Sequence, residues 1–159
     1  MMVREWIDKN KQLAAVATVI LLAFSIGMVV YQLLPEGPIT KAWYTSDDGR
    51  TWFKASNRRV APFAHEGKEA VEAFVFECEG KEFVGYMRRY KPSGKKRLEE
   101  YYAAEDAGKE PDVGKLAGLD FLLEYKRPGE KEWTSELHKG TEMMYVNCKD
   151  GSPALIVRP

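Results

Sequence analysis

"VEAFVFECEGKEFVGYMRRY", Val71 to Tyr90, alternates apolar and polar residues on both sides of Glu79-Gly80. Alternation with a period of two marks a strand, and a glycine-containing pair between two such runs predicts a hairpin. With Glu79-Gly80 as the turn, one face carries Phe74, Phe76, Cys78, Phe83 and Met87, a core face. The other carries Val75, Glu77, Glu82, Val84, Tyr86 and Arg88. That register sets Glu77 opposite Glu82, a like-charge pair with a small cost, so a longer turn stays open.

Upstream lies "WYTSDDGRTWF", Trp43 to Phe53. Asp48-Gly49 predicts a second hairpin over Ala42 to Lys54, because both turn positions favour positive φ. Tyr44 then faces Phe53 and Thr45 faces Trp52. Asp47 is placed to accept hydrogen bonds from loop amides, as aspartate does in Asx turns. Trp52 covers the base of the hairpin. The stretch "SNRRVAPFAHEGKEA", 56–70, reads as a loop.

Downstream, Ser93 is an expected N-cap and Gly108 an expected stop for a helix with a short stripe of Leu98, Tyr101 and Tyr102. "LDFLLEYKRPGEKEWTSEL" reads as strand, turn, strand. Its Tyr125 to Trp133 spacing repeats that of Tyr44 to Trp52. The tail reads as two short strands around Asp150-Gly151. The expected fold class is α+β, a mainly antiparallel domain with one helix.

An apolar helix is expected ahead of that domain. Leu13 to Leu34 is free of charge over 22 residues. As a helix this run spans roughly 33 Å, enough for a hydrocarbon core of about 30 Å. Trp6 and Tyr31 suit the headgroup levels, and Pro35 and Gly37 end the helix. The run is too long for a signal-peptide core, and no small-x-small cleavage site follows it. A pilin-like assembly helix would need a processing site and an acidic residue where the apolar run begins. Glu5 lies too far upstream. Arg4, Lys9 and Lys11 favour a cytoplasmic N-terminus. The expected organisation is a cytoplasmic segment 1–12, a transmembrane signal anchor 13–34, a linker 35–41 and an extracytoplasmic domain 42–159.

Three of the 24 basic and two of the 24 acidic residues precede the span, so the remainder is nearly neutral. That balance argues against nucleic-acid binding. Cys78 and Cys148 are the only cysteines and form a disulfide candidate in an exported domain. The bond would close about 70 residues, worth about 4 kcal/mol in chain entropy. Two free thiols remain the alternative if the domain faces the cytoplasm. His65 and His138 are too scattered from the cysteines for a zinc motif, and no metal or cofactor is expected. Six cationic residues, Arg88, Arg89, Lys91, Lys95, Lys96 and Arg97, crowd into ten positions. They offer a patch for an anionic partner, or a solvated strand end neutralised by Glu99 and Glu100 at i,i+4. Ala23 and Gly27 form a small-xxx-small pair suited to helix packing.

Thr45, Asp47, Gly49, Thr51 and Trp52 resemble the Asp-box, the hairpin motif of sialidase-type propellers. The likeness implies a turn-locking corner and carries no catalysis, since those boxes lie away from the active site. A propeller needs at least four blades of about 40 residues, too many for this chain. The overall layout, with "WYTSDDGRTWF", "GKEFVGYMRRY" and the late "CKDG", resembles uncharacterised single-span proteins of bacterial envelopes. That resemblance implies no activity, and the expected location, from the anchor and its basic flank, is the bacterial inner membrane with the domain facing the periplasm or outside. No phosphate loop, nucleophile elbow or metal motif occurs. The expected function is a non-enzymatic anchored scaffold or binding domain, an accessory subunit with a protein partner in the envelope. The alternative is a small anchored enzyme or ligand-binding domain. A redox or metal role ranks third.

Overall fold

The computed structural model describes residue 16, residues 19–28 and residues 40–159. The chain divides into two compact units, Met1–Pro38 and Ile39–Pro159. In the first, residues 19–28 are helical (α1), and their large apolar side chains are exposed. Among the described residues no helix is long and apolar enough to cross a membrane. The flanks Arg4, Trp6, Lys9, Lys11 and Tyr31, and the helix breakers Pro35 and Gly37, lie outside the described residues.

The second unit is an antiparallel sheet of seven strands with helices packed on it. The strands are β1 (Lys41–Thr45), β2 (Phe53–Ser56), β3 (Phe63–His65), β4 (Lys68–Cys78), β5 (Lys81–Tyr90), β6 (Leu123–Lys126) and β7 (Leu155–Ile156). The main path runs β2-β1-β4-β5-β6, and β3 and β7 each pair with β4. The α+β class with a dominant antiparallel sheet is therefore correct.

β4 is the spine. Its Glu72–Cys78 half pairs along one edge with β5, and Glu79 and Gly80 take φ of 52° and 76°. The two-residue turn is the one the sequence predicts, and Glu77 does face Glu82. The assignment of faces needs correction. Phe76 faces Phe83, yet Phe74 faces Tyr86 and Ala73 faces Met87, because the register shifts between Phe74 and Val75. Gly85 is the extra residue. A one-residue bulge inverts every later side chain. Tyr86 thus joins Phe76, Leu123 and Tyr125 on one face. Met87 joins Val71, Ala73, Val75 and Val84 on the other, under Trp43, Trp52 and Trp133. Both faces are core.

Three further expectations change. The stretch 56–70 is not all loop: β3 forms a hairpin with β4 through Glu66 and Gly67, both at positive φ. The long helix, α2 (Pro92–Asp106), starts from Lys91 rather than Ser93, with no side-chain cap. Pro92 occupies its first position, where a missing N–H costs nothing. Gly108, at φ 65°, does end it. The domain also has a second helix, α3 (Leu137–Met144), in the region read as strand and tail. The second strand expected after the Pro128-Gly129 turn shrinks to the single bridge of Tyr125 with Thr134, while the tail pairs through the Asn147–Pro153 bridge and β7.

Candidate functional site

The Asp-box residues come together as one turn. Asp48 and Gly49 take φ of 63° and 79°. The β1–β2 ladder closes at Tyr44 opposite Phe53, as predicted. Thr45, however, has no ladder partner at Trp52, where the β1–β2 pairing has already ended, and on the other edge of β1 it faces Val71 of β4. Its buried hydroxyl donates to Asp47 Oδ1 (2.9 Å) and accepts the Gly49 N–H (3.0 Å). Asp47 accepts the Thr51 hydroxyl (2.7 Å) and N–H (2.9 Å). The bond from the Thr51 hydroxyl, chiefly, lowers the Asp47 pKa to about 2. Asp48 reaches across the domain, accepting the Gly129 N–H at 2.8 Å with Lys126 Nζ at 2.6 Å. Burial alone would raise its pKa, but these partners hold it below the usual range. These bonds close the turn on itself and tie it to Lys126 and Gly129.

The six cations do not form one patch. Arg88 and Arg89 are strand neighbours and point to opposite faces. Arg88 pairs with Glu72. Arg89 pairs with Glu124 and Glu69 and lies 4.3 Å from the Trp133 ring centroid. Lys95 bonds the Pro62 carbonyl and neighbours Glu99, and Arg97 bonds the carbonyls of Gly114 and Ala117. Glu100 takes Lys115 instead of Lys96. Lys91 is half-buried and Lys96 exposed at the helix start. Ala23 and Gly27 are exposed, and a Cβ on Gly27 would meet nothing within 4 Å.

Cys78 and Cys148 are joined in a disulfide. The histidines stay apart: His65 stacks on Phe53 at 3.9 Å, and His138 is exposed beside Glu142. Among the described residues no group of three or more His, Cys, Asp or Glu is placed to hold a metal.

The concave feature with the chemistry of a site is a cleft of about 470 Å³. β1 and β7 share one edge of β4, opposite β5, but at different registers. β1 meets Val71 and Glu72, and β7 meets Phe76 and Glu77. Ala73, Phe74 and Val75 lie in the notch between them, and the cleft opens there. The C-terminal segment forms one wall. The Val157 N–H donates to the Val75 carbonyl (2.8 Å), and the Trp43 indole N–H donates to the Val157 carbonyl (3.0 Å). Leu98 and Tyr102 of α2 form another wall.

On the floor, Arg88 Nε donates to Glu72 Oε2 at 2.9 Å, and Nη2 lies 2.7 Å from the same oxygen as an ion pair. The guanidinium sits 4.9 Å from the centroid of Phe74. Burial would lower the Arg88 pKa, but the Glu72 charge and hydrogen bond raise it further, so it stays charged. Tyr44 donates to the carbonyls of Ser56 and Arg59, and burial pushes its pKa well up. Burial also raises Tyr90 and Tyr102. All three are neutral donors at ordinary pH. Among the described residues that line it, Glu72 is the one acidic side chain, and no histidine, cysteine, serine or threonine is among them.

Sequence reasoning found Arg88 but not its setting. A turn at Glu79-Gly80 without a bulge would pair Glu72 with Met87. Only the bulge brings Arg88 opposite Glu72. The signal available was a glycine inside a strand, which often marks a bulge. Trp43, Tyr90 and Tyr102 carried none, since their meeting depends on α2 and the tail folding back. No family model, curated protein or solved structure matches the chain.

Proposed function

We propose that the chain is a membrane-anchored, non-enzymatic binding domain of the bacterial envelope, serving as an accessory or scaffolding subunit of a membrane complex. The observation that carries this reading is the uncharged run Leu13 to Leu34, of which residues 19–28 form a helix with Phe24 at 70% and Leu21 at 66% exposure. Side chains so apolar and so bare need lipid or protein around them. The basic flank ahead of the run favours an external domain. A disulfide fits that oxidising side. Binding rather than turnover is supported by the pairing of Glu72, the one acidic side chain among the described lining residues, with Arg88.

Protease protection with a C-terminal tag tests the topology. The tag should be cleaved once the outer membrane is permeabilised, with the inner membrane still closed. A tag that yields only after the inner membrane is opened would overturn the external placement. Mild detergent extraction and native sizing test the subunit role. A partner should co-purify, and a monodisperse monomer would sink that role.

A further inference from the structure

We propose that the cleft between β1 and β7 takes a small monoanion with an apolar body, a carboxylate on an acyl chain or aromatic ring, its charge held by Arg88. This rests on the reading of the domain as a binding module.

Charge is the first argument. Among the described lining residues three cationic side chains, Lys41, Arg59 and Arg88, stand against one acidic side chain, Glu72, and Arg158, also in the lining, has a partner of its own. Lys41 and Arg59 are exposed and form a cationic rim. A rim of one sign over low-dielectric walls focuses the field on an entering anion.

Geometry is the second. Both Arg88 contacts fall on one oxygen of Glu72, a hydrogen bond from Nε and an ion pair from Nη2. A guanidinium has five N–H donors, so a single carboxylate oxygen does not use up its capacity for a planar acceptor. Phe74 and Glu72 hold the group in place before any ligand arrives. Glu72, lying against the guanidinium, repels a second negative charge placed on Arg88 and so disfavours a dianion such as a phosphate monoester there. Below the rim the walls are apolar: Trp43, Phe74, Val75, Leu98 and Val157. The neutral Tyr90 and Tyr102 hydroxyls add donors without adding charge. The volume falls within the range of small-molecule pockets.

The test uses the full chain in nanodiscs of zwitterionic lipid, with empty nanodiscs as blank. Titration calorimetry compares 4-phenylbutanoate and octanoate with the amide and the amine of each skeleton. At least one carboxylate should bind, and the two skeletons separate an aryl from an acyl source. Amides should bind at least about tenfold more weakly, the worth of a charge-assisted bond. Amines should not bind.

The double variant E72Q/R88Q removes both floor charges, so neither is left unpaired. It should weaken carboxylate binding by at least about tenfold with unchanged near-ultraviolet dichroism. If that variant does not fold, K41Q/R59Q at the exposed rim should weaken binding about threefold and flatten its salt dependence. Equal affinity for amide and carboxylate, binding unchanged in whichever variants fold, or no heat from either carboxylate would overturn the proposal. Mass spectrometry of the recovered ligand separates the two readings. A carboxylate bound through Arg88 but recovered chemically altered upholds the ligand class and overturns the non-enzymatic reading. No carboxylate binding beside a partner that still co-purifies overturns the ligand class alone.

Discussion

Asp47 gathers three bonds on its carboxylate, two from Thr51 and one from Thr45. They depress its pKa to about 2, the Thr51 hydroxyl contributing most. A depressed folded pKa means the bonded charge stabilises the fold above the unfolded value of about 4, and this is lost as pH falls toward 2. D47N should therefore destabilise the domain at pH 7 by about 1 kcal/mol, a modest figure because the site is partly solvated. The gap from wild type should close between about pH 4 and pH 2. Urea unfolding at pH 7 and at about pH 2.5 checks this. A gap of equal size at both would assign the loss to the amide's shape, not the missing charge. Asp47 was legible in the sequence because its partners lie within four residues. Asp48 was not. Its acceptor role joins Gly129, 81 positions away, and no local spacing encodes that meeting.

Gly85 decides which faces the central hairpin buries. A Cβ there would lie 2.7 Å from the Phe76 ring and 2.8 Å from Val146 Cγ2. Both neighbours belong to packed core, so neither yields cheaply. G85A should cost about 2 kcal/mol and lower Tm by roughly 10 °C. F76L/G85A should cost less than the sum of its single changes, since the smaller side chain relieves the clash. Additive losses in thermal unfolding would place the glycine's role elsewhere. At this scale the hairpin and its turn were legible from alternation and from Glu79-Gly80. The faces were not, because a period-two pattern is blind to one inserted residue. α3 was missed for a related reason. Gly140 weakens its helical pattern, yet a Cβ at Gly140 would strike the Tyr125 ring at 2.6 Å. Tertiary contact demands the residue that local propensity disfavours.

Across the whole domain, the C-terminal segment is a strap that completes the cleft, and one covalent bond pins it. Cys148 ties the 145–154 loop to the end of β4 at Cys78. Within that loop the Cys148 N–H bonds the Ser152 carbonyl and the Ala154 N–H bonds the Val146 carbonyl. Beyond it, β7 is only two residues long and both side chains are exposed. So short a strand has little hold of its own on β4. Val157 anchors it further through bonds with Val75 and Trp43. The disulfide closes a span of 70 residues, for which chain entropy predicts about 4 kcal/mol. C78A/C148A should therefore unfold at a markedly lower temperature. Before that, its losses should be local. Hydrogen exchange should rise first at the Val157 amide while amides of the β4–β5 ladder stay protected. Trp43 emission should shift to the red as its wall leaves, and ligand uptake by the cleft should fall with it. Exchange that rises evenly over tail and sheet would mean the bond secures the fold as a whole, and the cleft would then not depend on a separable strap.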